Sequence, residues 1–221
     1  TQHKTPISDA NREMLAALAA SYKMLMLGAG ACERIYKQLR EFPIDIVGSY
    51  GMQQSVMKNG VFTLVRDESY TVDREFFEKT VASLRSRLGF TDYYGNSVEY
   101  HASGLVTFPI LGTAAPLDKK LSYDPDRSKR RAAYGVVKEA FADYNVIGGS
   151  SSFDITKGRY NKFFALSRYC AENGYSLDEA LFVGDDFGDG GNDAAIRLGG
   201  VDYIEVDDFE KFPVRVAHLL A

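Results

Sequence analysis

The chain has 221 residues, 45% of them hydrophobic and 25% charged, and a formal net charge of −4. That length buries a substantial core as one domain or two small ones, and the acid excess gives a nucleic-acid partner no electrostatic support. No apolar run approaches the ~20 residues of a membrane-spanning helix, so no membrane partner is expected. The two cysteines, Cys32 and Cys170, make no disulfide framework, and no signal peptide is visible; the expected location is cytoplasmic.

Thr1 to Ile7 is a polar lead containing His3. Ser8 then caps a helix to about Ala20, with Met14, Leu15 and Leu18 on its apolar stripe. Lys23 to Leu27 is a short strand that ends in the small-residue turn Gly28-Ala29-Gly30-Ala31, and a helix runs from Cys32 to Arg40. Ile44 to Val47 is the next strand. This alternation belongs to a parallel α/β sheet. A helix is an unusual opening for it, because a strand normally precedes the helix of a βα unit. Met52 to Met57 and Val61 to Val65 flank Asn59-Gly60, a hairpin signal.

A different pattern follows. Val72 to Leu88 is an amphipathic helix stopped by Gly89. Ser97 to His101 and Leu105 to Leu111 are strands, Gly112 to Asp126 a loop broken by Pro116 and Pro125, Asp126 to Tyr144 a helix, and Val146 to Ile155 one strand. This α+β pattern reads as an inserted domain over residues 71–152, with the α/β core formed by 1–70 and 153–221. The core resumes with a helix from Asn161 to Glu172 and the strand Ala180 to Val183. After a short helix to Leu198 come a strand from Asp202 to Val206 and a last helix from Asp208.

The chemistry concentrates after Val183. Asp185, Asp186, Asp189 and Asp193 fall within nine residues, interleaved with Gly188, Gly190 and Gly191. At ~5 Å each like-charged pair costs roughly 1–3 kcal/mol, which a bound cation relieves. Carboxylate oxygens suit Mg²⁺, an ion that keeps waters and bridges to phosphate. The alternative is a solvated acidic turn before a helix, with Asn192 as cap and Asp193 at the positive end of the dipole. An EF-hand fails on spacing, since Phe187 and Ile196 occupy ligand positions.

Other residues carry two readings each. Lys162 opens a helix, where a cation opposes the dipole; it is either an ordinary surface lysine or a charge that meets an anion. The amides of Gly28 to Ala31 either cradle phosphate or simply allow tight packing. Asp154 is a ligand or a loop cap. His101 is a surface or hydrogen-bonded histidine or a catalytic one, and Arg127, Lys129, Arg130 and Arg131 form a solvated helix face or contact phosphate.

The acidic loop, the upstream lysine opening a helix and the earlier strand-turn-helix together resemble the haloacid dehalogenase superfamily of phosphotransferases. The likeness is to its branch of eukaryotic-type phosphomannomutases and related sugar-phosphate phosphatases. Gly148 to Lys162 resembles the mutase segment that ends in the superfamily's third-motif lysine, with Ser152-Phe153-Asp154 matching residue for residue. The fourth motif is matched by Gly184, Asp185, Gly190, Gly191, Asn192 and Asp193. Ile7-Ser8 and Glu33 to Leu39 also fit.

The resemblance implies a Rossmann-like parallel-sheet core with an inserted C2-type α+β cap. It implies Mg²⁺ held by Asp185 and Asp186, a phosphate contact from Asn192, and Asp193 orienting Lys162 against the phosphoryl group. Gly28, Gly30, Ser152, Asp154 and His101 would line the phosphate and substrate site. The partners expected are a small phosphorylated metabolite and, through the cap, a second copy of the chain.

The superfamily forms an aspartyl-phosphate on an Asp-x-Asp motif at the end of its first strand. That motif is absent here and is expected immediately before Thr1. The second motif's hydroxyl residue falls on Gly30, and the cap arginines of the mutases fall on His101 and Thr113. The reading is therefore a Mg²⁺-dependent phosphatase, with a hexose-phosphate mutase and a non-catalytic phosphometabolite binder as alternatives.

Overall fold

A computed structural model describes residues 5–220, so the first four residues of the polar lead, His3 among them, lie outside the described residues. In chain order the elements open with α1 (Asp9–Ala19), β1 (Leu25–Leu27), α2 (Cys32–Gln38), β2 (Asp45–Gly48), β3 (Gln53–Lys58) and β4 (Val61–Asp67). Next come α3 (Arg74–Leu88), β5 (Glu99–Tyr100), β6 (Val106–Pro109), α4 (Leu117–Tyr123), α5 (Ser128–Ala140), β7 (Tyr144–Gly148) and β8 (Ser152–Lys157). The chain ends with α6 (Lys162–Asn173), β9 (Leu181–Gly184), α7 (Ala194–Leu198), β10 (Asp202–Glu205) and α8 (Phe212–Val216). None of the described helices is long and apolar enough to cross a membrane.

The chain divides into two compact units. The first comprises the chain up to Glu68, Lys162–Phe187 and the chain from Asp193 onward; the second comprises Ser69–Asn161 and Gly188–Asn192.

In the first unit β1 runs parallel to β2, and β2-β3-β4 continue antiparallel. A separate parallel pair is formed by β9 and β10. Local chemistry accounts for the boundaries. Ser8 Oγ accepts from the Asn11 amide and starts α1. Asn59 and Gly60, with φ of 51° and 77°, make the mirror-image turn that suits a twisted two-residue hairpin. Within the described residues β1 and β9 are each paired on one side only. Leu25 and Leu27 of β1 and Phe182 of β9 pack against one cluster, built on Leu166, Cys170, Phe187, Ile196 and Val201.

A polar network ties this unit together. Asp45 accepts from Tyr169 Oη at 2.7 Å and pairs with Lys23 at 2.8 Å. Burial pushes the Asp45 carboxyl up, but the bonds from Lys23 and Tyr169 outweigh it and hold it below the ordinary carboxylate value. A group held lower in the folded than in the unfolded chain stabilises above its unfolded pKa. That contribution is lost as pH falls through the folded value. Denaturant titrations should therefore show Asp45→Asn weakened at neutral pH and losing less stability than wild type below about pH 4.

The second unit is a four-stranded antiparallel sheet in the order β5-β6-β8-β7. Val106, Phe108, Val146, Phe153 and Ile155 pack under Phe77, Val81 and Leu84 of α3 and Ala133 and Val137 of α5. Strand alternation then places Thr107 and Asp154 on the opposite face.

Four expectations are corrected here. The loop expected over Gly112 to Asp126 contains α4, because Pro116 stands at its N-terminal boundary, where a missing N–H costs nothing. The single strand expected over Val146 to Ile155 is a hairpin. Gly149, Ser150 and Ser151 offer little side chain to pack, and the chain reverses there with the Gly149 amide donating to Ser152 O at 2.8 Å. The helix expected to reach Tyr144 ends at Ala140, since Tyr144 begins β7. The domain boundary expected between Ser152 and Phe153 would cut β8, which is hydrogen-bonded on both edges, and the second unit runs on to Asn161.

Candidate active site

The first unit gathers the acidic loop and Lys162 at one point. Strand β9 ends at Gly184, the chain bends through Asp185 and Asp186, and Asp193 returns to the bend. Asp193 is fully buried. Its Oδ2 accepts from the amides of Asp185 and Asp186 at 2.9 and 3.0 Å, and its own amide donates to Asp186 O at 3.0 Å. Its Oδ1 accepts from Lys162 Nζ at 2.5 Å. Gly184 permits this closeness: a Cβ there would stand 2.5 Å from Asp193 Oδ2 and 2.6 Å from the Phe182 ring.

Asp193 stands at the start of α7 but makes no side-chain cap bond to it. Its carboxylate serves the preceding bend, so it is not the plain helix-start acid of the alternative reading. Lys162 is the first residue of α6, is 8% exposed, and lies with its Nζ 5.6 Å from the Phe182 ring centroid. An exposed helix-start lysine is thereby ruled out. A buried ammonium needs a buried anion, and Asp193 supplies it.

The side chain of Asp185 is exposed and that of Asp186 is buried. Among the described residues no group of three or more His, Cys, Asp or Glu side chains gathers to hold a metal ion. Both Asp193 oxygens are already committed to donors, which leaves Asp185 and Asp186 as the carboxylates of the bend. Two carboxylates fit Mg²⁺, which is ordinarily held by one or two of them and completed by water and phosphate.

The turn after β1 is positioned by backbone bonds. Ser49 N donates to Gly30 O at 2.9 Å and Tyr50 N to Gly28 O at 3.2 Å. A Cβ on Gly28 would meet Ile35 Cδ1 at 2.6 Å, so tight packing alone explains that glycine. At Gly30 a Cβ would meet Arg34 Nη2 at 1.7 Å. The Arg34 guanidinium thus fills the space that a side chain at position 30 would need. Sequence reasoning left only backbone amides at this turn; the signal for Arg34 was its place one helical turn beyond Gly30.

The remaining candidates belong to the second unit. Asn192 lies in the segment Gly188–Asn192 that clusters there. The Gly148 amide donates to Gly190 O at 2.7 Å, and Gly190, at φ 73°, has the Tyr134 ring 2.5 Å from where a Cβ would be. Ser152 is half-buried at the start of β8. Asp154 is buried and accepts from Thr107 Oγ1 at 2.7 Å, and His101 Nε2 lies 3.0 Å from the same Oγ1. Thr107 went unnoticed in the sequence, although it is the one polar position in the apolar run Leu105 to Leu111. The basic face of α5 needs one correction. Arg130 is buried rather than solvated, with its amide on Asp124 and its guanidinium donating to Gly149 O.

No family model and no curated protein matches the sequence. Solved structures do match the fold. An IMP-bound, N-terminally truncated IMP-nucleotidase from Plasmodium falciparum superposes with a TM-score of 0.71 at 12% identity, over 99% of this chain and 66% of that one. The Thermoplasma acidophilum protein 0175 gives 0.58 at 14% identity, over 97% and 91%. A trehalose-6-phosphate phosphatase related protein gives 0.52 at 13% identity, over 98% and 88%. The chain therefore spans just under two thirds of the nucleotidase and has the mixed α/β fold that these proteins share.

Proposed function

We propose that the protein is a Mg²⁺-dependent phosphatase of the haloacid dehalogenase type, acting on a small phosphorylated metabolite such as a sugar phosphate. The observation that carries this reading is the buried Lys162–Asp193 pair, whose carboxylate also accepts from both amides of the Asp185-Asp186 bend. A buried, anchored ammonium beside two carboxylates suits a phosphoryl group that must be neutralised without being repelled. Similarity of fold to a nucleotidase and to a phosphatase-related protein supports the same reaction class.

In this reading each residue has one task. Asp193 is a positioning residue that fixes the Lys162 ammonium and the backbone of the bend. Lys162 neutralises the phosphoryl oxygens. Asp185 and Asp186 would hold Mg²⁺, which when bound supplies further charge neutralisation at the phosphate. Arg34 and the amides of the Gly28–Ala31 turn offer the phosphate a second set of donors. The reaction of this class has an Asp carboxylate attack phosphorus to give an aspartyl-phosphate, the leaving oxygen take a proton from a neighbouring acid, and water then cleave the acyl phosphate. The buried free cysteines accord with a cytoplasmic location.

The test is a phosphomonoester panel given to the full-length gene product with Mg²⁺, with Asp185→Asn as control. Phosphate release that needs Mg²⁺ and falls with the substitution supports the reading. A full-length protein that binds but never turns over any phosphomonoester overturns it in favour of a binder.

A further inference from the structure

Within the second unit lies a cavity of about 300 Å³, lined by Asp73, Phe76, Asp143, Tyr144 and Lys157. Asp73 caps α3, Asp143 stands between α5 and β7, and Tyr144 and Lys157 are opposite in the β7–β8 register. A volume of this size suits a small molecule.

Aromatic rings form one wall. Phe76 and Tyr144 lie nearly parallel, at 17°, with their centroids 6.1 Å apart. Phe77 and Phe141 meet the Phe76 ring edge-on at 5.5 and 5.9 Å. Packing on three rings therefore holds Phe76, although it stays 38% exposed while Phe77 beside it is fully buried. An anchored ring with open surface offers its π face to a cation.

The charges on the lining point the same way. Asp73 accepts from the Phe76 amide at 3.1 Å, and among the described residues neither Asp73 nor Asp143 has an ion-pair partner. Burial pushes the Tyr144 phenol pKa up, and the fields of Asp73 and then Asp143 push it further, so both carboxylates are felt at this ring. Lys157 is the one cation of the lining. Its amide donates to Tyr70 Oη at 2.7 Å and its Nζ lies 5.8 Å from the Tyr70 ring centroid. It pairs with neither carboxylate among the described residues, and one ammonium does not balance two acids.

We propose that this cavity binds a small organic ammonium ion, with its alkyl surface against Phe76 and Tyr144 and its charge compensated by Asp73 and Asp143. An anion would be repelled by both carboxylates. A hard metal ion gains nothing from the rings and needs more oxygen ligands than two acids supply. The site belongs to the second unit alone, and its test reads binding, so the phosphatase reading neither supports nor endangers it.

The test is an NMR titration of the ¹⁵N-labelled protein with tetramethylammonium chloride. Sodium chloride at equal ionic strength is one control, and tert-butanol, a neutral molecule of similar shape, is the other. Saturable shifts at Phe76 and Tyr144 that neither control reproduces support the proposal. Phe76→Leu and Asp143→Asn should each weaken tetramethylammonium binding at least about threefold, and Lys157→Met should strengthen it about twofold. Asp143 is exposed and makes no hydrogen bond among the described residues, so the Asn variant leaves the packing intact. Shifts that do not saturate, shifts matched by either control, or an affinity unchanged in Asp143→Asn overturn the proposal.

Discussion

Replacing Asp193 with Ala should destabilise the first unit by about 3–5 kcal/mol, the cost of leaving a buried charge without its partner. A domain stable by about 5–15 kcal/mol survives that narrowly or not at all. The loss has three parts: the Lys162 ammonium loses the Asp193 carboxylate at 2.5 Å, and the Asp185 and Asp186 amides lose the acceptor that Asp193 gives them. Asn is not a conservative replacement. Both Asp193 oxygens accept, so an amide nitrogen must face either the ammonium or the two N–H groups, donor against donor. Lys162→Met should cost less, because Asp193 keeps both amide donors. Urea titrations of the two single variants and the double variant then give a coupling of at least about 1.5 kcal/mol between neighbours in one network. Additive losses would show that the pair is not an energetic unit.

Arg85→Ala should cost the second unit at least about 4.5 kcal/mol, from three charge-assisted bonds at about 1.5 kcal/mol or more each, together with the lost packing of the stem. Arg85 is 5% exposed, and among the described residues its guanidinium bonds to backbone carbonyls and to no carboxylate. Its Nη1 donates to Phe90 O and Ile110 O, each at 2.9 Å, and its Nη2 to Pro109 O at 2.7 Å. The Tyr93 and Phe108 rings lie 4.0 and 5.0 Å from its carbon centre. Burial pulls its pKa down from the ordinary guanidinium value. One side chain thus ties the end of β6 to the turn after α3. Lysine cannot reach these carbonyls as a fork, so Arg85→Lys should rescue only part of the loss. Thermal melts together with hydrogen exchange over residues 90–113 check this. A melting point equal to that of wild type would show that the fork is dispensable.

What could be read from the amino acids alone follows from the range of the interactions. Ser8, Asn59-Gly60 and Gly89 act within four residues of themselves, and the start of α1, the end of α3 and the turn of the β3–β4 hairpin follow from them. The β7–β8 hairpin was missed because Gly148 to Ser152 reads equally as a slack strand. Only pairing of β8 with β6, some forty residues upstream, decides it. Helix α4 was missed because Pro116 signals a break and a start alike.

In the site, residue types suggested a cation loop, but the task of Asp193 came only from resemblance. Its bonds to Lys162 span 31 residues. Thr107 and Arg34 escaped notice for the same reason. The first matters through a strand 47 residues away, and the second through a side chain that position 30 lacks.

The central claim is that the Asp185-Asp186 bend, held by Asp193 and Lys162, is where phosphate chemistry occurs. Phosphate release by the full-length protein and its Asp185→Asn variant, each stripped with a chelator and reloaded with Mg²⁺, measures this most directly. The account predicts at least about a hundredfold lower turnover in the variant, the scale of losing one preorganised electrostatic group. Equal turnover by the two proteins would contradict it.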